Sequence, residues 1–278
     1  IIGSVKEDLN TEKRTSITPE TTKKFIDLQF SVFLEKNYSE HLGVTDKEYQ
    51  NRGANLYGTA KEVLEKSDII LKVNCPSNDE VNLIKDKSIL IGQFDPLLNK
   101  EIINKLIKKD VKIFSLSLLP RITRAQTMDV LSSQANLAGY RAVIEAVKEY
   151  GKVVPMMMTA AGTITPAKVL VIGVGVAGLQ AIATAKRLGG IVSATDVRTA
   201  AKEQVESLGG KFLSVDGAED LETPEGYAKE AGEDFKKKQA ELLKSSIKKN
   251  DIIICTALIP GKKAPRIISE DMVKSMQP

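Results

Sequence analysis

Residues 169–178 constrain the fold more than any other part of this 278-residue chain. Four apolar residues, 169–172, lead into a Gly-x-Gly-x-x-Gly pattern formed by Gly173, Gly175 and Gly178. In such a pattern the first glycine permits a tight turn, the second lets a pyrophosphate approach the backbone, and the third lets a helix pack closely on the strand. The segment therefore predicts a strand, a phosphate-binding turn and a helix whose free N–H groups face the phosphates.

An acidic residue at the end of the next predicted strand strengthens this interpretation. Asp196 lies 196 − 173 = 23 positions after the first glycine, close to the roughly 20 typical of dinucleotide-binding folds. Its carboxylate would accept hydrogen bonds from the adenosine ribose and repel a 2′-phosphate, so NAD(H) is favoured over NADP(H), a preference that Arg198 weakens slightly. A glycine turn without a ligand is the alternative. The candidate cofactor-binding residues are Gly173, Gly175, Val176, Ala177, Gly178, Asp196, Val197 and Arg198.

Apolar runs alternate with lysine-rich amphipathic segments along much of the remaining chain. This alternation predicts an α/β protein with parallel, doubly wound (Rossmann-like) sheets and helices on both faces. The predicted strands cover residues 1–6, 30–34, 68–73, 88–92, 111–115, 168–172, 191–195, 211–215 and 251–256. The predicted helices cover residues 19–28, 59–66, 99–108, 135–150, 177–188 and 233–249. Residues 216–231 lack periodicity and are predicted to form a long mobile loop.

The second series of strands and helices predicts a second domain. We expect an N-terminal α/β domain over residues 1–134 and a Rossmann NAD(H)-binding domain over residues 135–278, with the cofactor in the cleft between them. The second domain lacks a further βα unit at its C-terminus. We expect the first domain to be completed by chain beyond residue 278.

Composition excludes several classes of function. The chain has 40 basic and 36 acidic residues, a formal charge of +4, which gives no electrostatic reason to expect nucleic acid or anionic lipid as a partner. No apolar stretch is long enough to span a membrane. Cys75 and Cys255 lie in or beside apolar runs and are expected to be buried, reduced thiols. The single histidine, His41, is expected at the surface, and no metal site is expected.

A second polar segment, residues 120–129, lies between the two predicted domains. It contains Arg121, Arg124, Gln126 and Asp129 and is too polar for a core strand. In an interdomain cleft these groups could bind a carboxamide, a ribose and a pyrophosphate. The alternative is a linker whose charges pair with each other.

The run PRITRAQTMDVLSSQANLAGYR, residues 120–141, closely resembles the NAD(H)-binding component, domain I, of proton-translocating NAD(P) transhydrogenase. The segments VLVIGVGVAGLQAIATAKRLG, ATDVR, KEQVESLGGKF and TALIPGK are similar to the same family. The resemblance implies that Arg121, Asp129 and Ser132 hold the nicotinamide end of NAD(H). It also implies that Gln126 organises contact with an NADP(H)-binding component. It places Tyr227 on a mobile loop at the catalytic site, and it adds Ala257 and Leu258 to the cofactor-binding residues.

The resemblance also implies an activity and partners. The complete enzyme would couple hydride transfer between NADH and NADP⁺ to proton movement across a membrane. Domain I would act as a homodimer outside the bilayer, on the bacterial cytoplasmic or the mitochondrial matrix side. Its partners would be an NADP(H)-binding domain and a membrane channel domain of the same enzyme.

Two alternative functions remain open on the sequence alone. The first is an alanine or amino-acid dehydrogenase, because Arg14 and Lys72 fall where the substrate-binding arginine and lysine of alanine dehydrogenase would lie. Its catalytic histidine should fall near residues 93–96, where no histidine occurs, although Asp95 could act as an acid. Hydride transfer between two nicotinamides needs no such acid–base group. The second alternative is a non-enzymatic NAD-sensing module.

Overall fold

A computed structural model of the protein describes residues 1–120, 122–198, 200–215, 232–258 and 264–277. The chain divides into two compact units, Ile1–Val130 and Leu131–Pro278. The domain boundary after residue 134, and the completion of the first domain by chain beyond residue 278, stay predictions.

The first unit is built on a sheet of six parallel strands in the order β3-β2-β1-β4-β5-β6. In β1, Ile2 pairs with Val32 of β2 on one side and with Ile69 of β4 on the other. This order is that of the doubly wound dinucleotide-binding fold. The strands are β1 Ile2–Ser4, β2 Val32–Glu35, β3 Asn55–Tyr57, β4 Ile69–Leu71, β5 Ile89–Gly92 and β6 Lys112–Ser115.

Helices cover both faces of this sheet. Successive residues of β4 show the arrangement, because Ile69 packs against one apolar cluster and Ile70 belongs to the other, as the alternation of side chains along a strand requires. Several of the helices begin with a capping box, including those that start after Thr59 and Ser77. The helices are α1 Pro19–Asp27, α2 Asp46–Asn51, α3 Ala60–Lys66, α4 Asn78–Leu83 and α5 Lys100–Lys108.

The second unit contains a parallel sheet in the order β11-β10-β9-β12 and a separate antiparallel hairpin, β7-β8. A long helix, α6 Val130–Tyr150, precedes both. The strands are β7 Met157–Thr159, β8 Gly162–Ile164, β9 Lys168–Ile172, β10 Ile191–Thr195, β11 Lys211–Phe212 and β12 Ile252–Cys255. The other helices are α7 Val176–Arg187, α8 Ala201–Ser207, α9 Glu233–Ile247 and α10 Glu270–Lys274.

Strand β9 is central in this sheet and buried on both faces. Val169 and Val171 belong to a core cluster that includes residues of α7, whereas Leu170 and Ile172 belong to a second cluster that includes residues of α9 and α10. A strand covered on both sides requires a continuous apolar run, which is the pattern that the sequence shows. Strand β9 therefore holds the glycine segment at a fixed position at its carboxyl end.

The predicted fold class is confirmed, and the element positions agree with small shifts at the ends. The helix predicted over residues 135–150 begins five residues earlier, at Val130. The strand predicted over residues 211–215 is limited to Lys211–Phe212. Strand β3, the short helices α2, α4, α8 and α10, and the hairpin β7-β8 were not predicted. The loop predicted over residues 216–231 lies outside the described residues.

Two predictions about single side chains have different outcomes. His41 is exposed, as predicted, and its Nε2 lies 2.8 Å from the carbonyl oxygen of Lys13. The predicted burial of the cysteines is wrong, because Cys75 is only partly buried and Cys255 is exposed. Cys255 is the last residue of β12, and a strand end at the edge of a sheet is less covered than its middle. Both thiols are free.

Candidate functional site

The turn after β9 has the geometry that the glycine pattern predicts. Gly173 has a φ of +92°, a left-handed conformation that glycine adopts without strain. Its N–H donates to the carbonyl oxygen of Thr195 over 2.9 Å, which joins the turn to β10. A Cβ on Gly178 would lie 1.9 Å from the carbonyl oxygen of Gly173, so α7 packs against the turn at a distance that only glycine permits.

Gly175 differs from these two glycines because the space around it is open. A Cβ at this position would meet no atom within 4 Å. Gly175 is also the N-cap residue of α7 and provides no side-chain cap, so the N–H groups of the first turn, which includes Val176 and Ala177, receive no bond from it. Free N–H groups at the positive end of a 12-residue helix form an anion-binding site. The turn thus fits a pyrophosphate.

Asp196 lies directly after β10 and is oriented toward the glycine turn. Its Oδ2 accepts a hydrogen bond of 2.6 Å from the N–H of Val174, inside the Gly-x-Gly segment. Its side chain is only 7% exposed. Burial by itself would raise the pKa of this carboxyl, but hydrogen bonds from Arg198 and from the Val174 N–H outweigh burial and lower the pKa below its usual value. The group is therefore ionised at neutral pH.

Arg198 binds both oxygens of this carboxylate. Its backbone N–H and its Nε each donate to Oδ1 over 2.9 Å, and its Nη2 donates to Oδ2 over 3.1 Å. Nη2 also donates to the carbonyl oxygen of Val174 over 2.9 Å. Val197, between the two charged residues, is partly buried. Arg198 was expected only to weaken the preference for NAD(H), yet it is a structural part of the predicted ribose site.

The end of β12 forms another side of the turn. Thr256 continues the pairing with β9, because its N–H donates to the carbonyl oxygen of Ile172 over 2.8 Å and its Oγ1 donates to that of Gly173 over 2.7 Å. The backbone nitrogen of Ala257 would lie 3.0 Å from a Cβ at Gly173. Leu258 follows it and is 70% exposed. Thr256, which was not predicted, fixes the turn through a side-chain bond that crosses the sheet.

The second predicted group follows the first unit's last strand. Residues Thr123–Met128 form a 3₁₀ helix, and the N–H of Asp129, at its end, donates to the carbonyl oxygen of Gln126 over 3.2 Å. Gln126 is exposed, whereas Asp129 is partly buried. Ser132 is partly buried in the first turn of α6. Arg121 and Tyr227 lie outside the described residues, and a common site for all of these groups stays a prediction.

Helix α6 contacts the dinucleotide turn through a residue that was not predicted. Gly139 is buried in the middle of α6, and a Cβ there would lie 2.1 Å from the carbonyl oxygen of Ala177. Ala177 belongs to the first turn of α7, where the phosphate-binding N–H groups lie. A glycine in the middle of an otherwise helical pattern was the available signal, since glycine is unfavourable there unless close packing requires it.

The two cations that would serve an amino-acid dehydrogenase both have carboxylate partners. Lys72 is nearly inaccessible, with its Nζ 2.6 Å from Glu80 and 3.6 Å from Glu7. Arg14 forms an ion pair of 2.6 Å with Glu12. A substrate carboxylate would have to compete with these glutamates.

The segment expected to carry a catalytic histidine in such a dehydrogenase contains Phe94 and Asp95. Phe94 is fully buried. Asp95 is exposed, with a φ of +41°, and its N–H donates to Ser117 Oγ over 3.2 Å. The described residues include no group of three or more histidine, cysteine, aspartate or glutamate side chains that could hold a metal ion.

A cavity of about 280 Å³ lies at the other end of the second unit's sheet. Its lining includes Lys168, Ile191 and Lys211, which are the first residues of β9, β10 and β11. Ligands of open parallel sheets bind at the carboxyl ends of the strands. We therefore assign the dinucleotide site to the glycine turn, at the opposite edge.

Comparisons with known proteins give concordant results for both units. Residues 3–138 match the family model described as alanine dehydrogenase/PNT, N-terminal domain, and residues 142–278 match that of the C-terminal domain. The chain is 51% identical to the first of the polypeptides that make up NAD(P) transhydrogenase subunit alpha in Rhodospirillum rubrum, covering 100% of this chain and 74% of that protein. It is 29% identical to an alanine dehydrogenase of Methanococcus maripaludis, covering 100% of this chain and 69% of that protein.

A solved structure supports the same relationship. The crystal structure of a transhydrogenase from Sinorhizobium meliloti matches with a TM-score of 0.85 and 46% identity, covering 100% of this chain and 76% of that chain. At this identity the backbone likeness extends to the sequence that forms the site. Among the described helices, none is long and apolar enough to cross a membrane.

Proposed function

The chain belongs to the alanine dehydrogenase/PNT family, within it to the NAD(P) transhydrogenase alpha subunits, and from this premise we propose that it holds NAD(H) for hydride exchange with NADP(H) on a partner domain. The observation that carries the proposal is the glycine turn with its open position at Gly175 and the ionised Asp196 beside it. The identity to a transhydrogenase subunit, 51% against 29% for an alanine dehydrogenase, favours this activity over amino-acid oxidation.

The residues divide the work between the two ends of the dinucleotide. The first turn of α7, with Val176 and Ala177, would hold the pyrophosphate through backbone N–H groups, and Asp196 would accept hydrogen bonds from the adenosine ribose. Arg121, Asp129 and Ser132 would hold the nicotinamide end, and Gln126 would organise contact with the partner domain. Nicotinamide, when bound, supplies the hydride chemistry, so the protein's contribution is orientation and exclusion of water.

The finer features of the activity belong to the same proposal. We assign the chain to a proton-translocating, Re/Si-specific transhydrogenase in which a membrane channel domain carries the proton. The chain itself would be a peripheral component of that enzyme, on the cytoplasmic or the mitochondrial matrix side of the membrane. Tyr227 would close over the nicotinamide as part of a loop.

We also propose that the protein is a homodimer, and the hairpin β7-β8 supports this. The hairpin belongs to neither parallel sheet, and an isolated two-stranded hairpin is marginally stable. It presents the neighbouring side chains of Met156, Met157, Met158 and Ile164 to the surface, and Met158 is 74% exposed. Such an apolar patch is typical of a protein–protein contact, and a second copy of the chain would cover it.

Hydride transfer from bound NADPH to a spectrally shifted NAD⁺ analogue tests the proposed reaction. The complete protein is mixed with the NADP(H)-binding partner loaded with NADPH, and reduction of the analogue is followed by absorbance. We expect rapid transfer that requires both proteins. An absence of transfer, together with reduction of NAD⁺ on addition of L-alanine, would instead assign the chain to the amino-acid dehydrogenases.

Two variants test the division of work. Asp196→Ala is expected to weaken NADH binding by about tenfold or more, because the ribose loses charge-assisted hydrogen bonds. Gln126→Asn is expected to slow hydride transfer with little change in the dissociation constant for NADH, because the amide keeps its chemistry but loses its reach. Equal losses of NADH affinity in the two variants would contradict the assignment.

A further inference from the structure

Arg198 holds the hydrogen-bonding positions of the carboxylate that a ribose would use. A carboxylate offers about four lone-pair sites. In Asp196 these receive the N–H of Val174, the N–H of Arg198, its Nε and its Nη2. A ribose with two free hydroxyls cannot donate to this carboxylate until some of those donors leave.

The donors differ in how easily they can leave. The N–H groups of Val174 and Arg198 belong to the backbone of the turn and of the segment after β10, so they are fixed. The Nε and Nη2 groups lie at the end of a flexible side chain that is 16% exposed. Rotation of the Arg198 side chain would free one position on each carboxylate oxygen while both backbone bonds to Asp196 persist.

We propose that Arg198 is a specificity-determining residue of the adenosine ribose site, which it opens by releasing Asp196 and where its guanidinium then meets the 2′-substituent. The proposal rests on the proposed function, since it requires a dinucleotide to bind at this turn. Arg198 is thus a competitor of the ribose hydroxyls in the cofactor-free protein and a cationic neighbour of the 2′-position in the complex.

The two ribose types make different use of the released side chain. A 2′-hydroxyl donates to Asp196 and gains little from a nearby cation. A 2′-phosphate is repelled by Asp196 and attracted by the guanidinium, which pairs with phosphate through two parallel hydrogen bonds. With Arg198 present, attraction offsets part of the repulsion. Without it, repulsion alone remains, so NADPH should lose affinity and NADH should not.

Dissociation constants for NADH and NADPH measure this effect directly in the complete protein. The fluorescence of the reduced nicotinamide reports binding to the wild type, Arg198→Ala, Arg198→Lys and Arg187→Ala. For Arg198→Ala we expect the NADPH constant to rise by about tenfold or more while the NADH constant stays the same or falls. Arg198→Lys keeps the charge and should restore part of the NADPH affinity.

Arg187→Ala is the matched control. Arg187 is an exposed residue of the last turn of α7, in the same unit, and its loss changes the net charge by the same amount. The ratio of the two dissociation constants should stay at its wild-type value in this variant. An equal change of the ratio in both variants would mean that Arg198 acts only through the overall charge, which overturns the proposal.

Other outcomes also decide the matter. If Arg198→Ala weakens NADH and NADPH by the same factor, Arg198 merely supports the turn and the proposal fails. Should this variant not fold, Arg198→Gln, which keeps much of the side chain without its charge, carries the same comparison. A wild type that binds neither dinucleotide would overturn the proposed function itself, and this inference with it.

A spectroscopic measurement tests the release of Asp196. The Nε–H of Arg198 donates to a buried carboxylate in the free protein, so its NMR signal should be shifted and slow to exchange with water. We expect that shift and protection to be lost on saturation with NADH. A signal unchanged by saturating NADH would show that Arg198 does not release Asp196.

Discussion

The first unit has six parallel strands in the complete 3-2-1-4-5-6 order, whereas the second has four in the partial order 3-2-1-4. The glycine turn nevertheless belongs to the smaller sheet. Its first strand, β9, leads within a few residues into α7, and a Cβ at Gly175 would meet open space. Strand order alone therefore does not make a dinucleotide site.

The equivalent position of the first unit is closed by charged side chains. Residues 5–18, between β1 and α1, contain no glycine. Glu7 of this segment accepts a hydrogen bond from the N–H of Val73 and lies 3.6 Å from Lys72, which also pairs with Glu80. Carboxylates are present where a phosphate would need free N–H groups. The difference teaches that exposed backbone donors, and not the sheet, determine which edge binds a dinucleotide.

Replacing Lys72 should give the largest effect on stability. Lys72→Met keeps the side chain's length but leaves Glu7 and Glu80 without their buried cation, which should lower the free energy of unfolding by about 3–5 kcal/mol. Because Lys72 belongs to the edge that we regard as closed, the NADH affinity of the folded protein should not change. Urea unfolding and NADH titration of the same samples measure both quantities.

Lys105→Met is the control for this comparison. Lys105 also pairs with a carboxylate, Glu101, at 2.8 Å, but both side chains are exposed, so its replacement should change stability by less than about 1 kcal/mol. If Lys72→Met weakened NADH binding more than stability loss explains, the first unit's edge would take part in cofactor binding and the comparison would break.

A smaller effect is expected at the contact between α6 and α7. In an exposed helix, replacement of glycine by alanine stabilises by about 1 kcal/mol. At Gly139 the new Cβ would lie 2.1 Å from the carbonyl oxygen of Ala177, so we expect Gly139→Ala to destabilise the protein by about 1–3 kcal/mol instead. NADH should also bind less tightly, because Ala177 carries one of the phosphate-facing N–H groups.

Ala138→Gly separates helix propensity from this contact. Ala138 is an exposed neighbour in the same helix, and its replacement should destabilise by about 1 kcal/mol without changing NADH affinity. A Gly139→Ala protein that is more stable and binds NADH normally would show that α6 does not support the dinucleotide edge.

The sequence predicted the central elements of both sheets because those segments are governed by local rules. Strand β9 is a continuous apolar run, and it appears at Lys168–Ile172, the predicted bounds. The short helices α2 and α4 were missed because six residues are too few for a helical period. A local signal existed in their capping boxes, where Thr45 precedes Glu48 and Ser77 precedes Glu80.

The site was predictable in its backbone and less so in its side-chain partners. Gly173, Gly175 and Gly178 have the roles that their spacing indicates. The bonds from Arg198 to both oxygens of Asp196 depend on side-chain rotamers, which a sequence pattern does not specify. The bond from Thr256 to Gly173 depends on how β12 pairs with β9, a contact between residues far apart in the chain. The roles of Arg121 and Tyr227 stay predictions.

Gly175→Ala should separate cofactor binding from stability at the dinucleotide edge. The free protein has room for the new methyl group and Gly175 has a φ of −80°, so the free energy of unfolding should change by less than about 1 kcal/mol. The methyl group would occupy space that the pyrophosphate needs, and NADH affinity should fall by about tenfold. Unchanged affinity would show that this space is not used by the cofactor.

The smallest effects concern pH, and they should have opposite signs at the two edges. Burial raises the pKa of Glu7 above its ordinary value of 4.5, although Lys72 opposes this. Its contribution to stability is therefore complete below that pH and lost as the pH rises through the raised pKa. The pKa of Asp196 is instead lowered below its ordinary value of 3.8, so its contribution is present above that pH and lost as the pH falls through the lowered pKa.

Urea unfolding from about pH 3 to about pH 7 tests this difference with one neutral variant for each edge. Glu7→Gln removes the group whose pKa is raised, so this variant should gain stability relative to the wild type as the pH rises above 4.5. Asp196→Asn removes the group whose pKa is lowered, so its deficit relative to the wild type should shrink as the pH falls below 3.8. If the stability of Glu7→Gln fell relative to the wild type as the pH rose, the carboxylate of Glu7 would be stabilised by Lys72 more than it is destabilised by burial. The first edge would then be a balanced ion-pair site, able to hold an anion after exchange of its glutamates, and the contrast between the two edges would be one of degree.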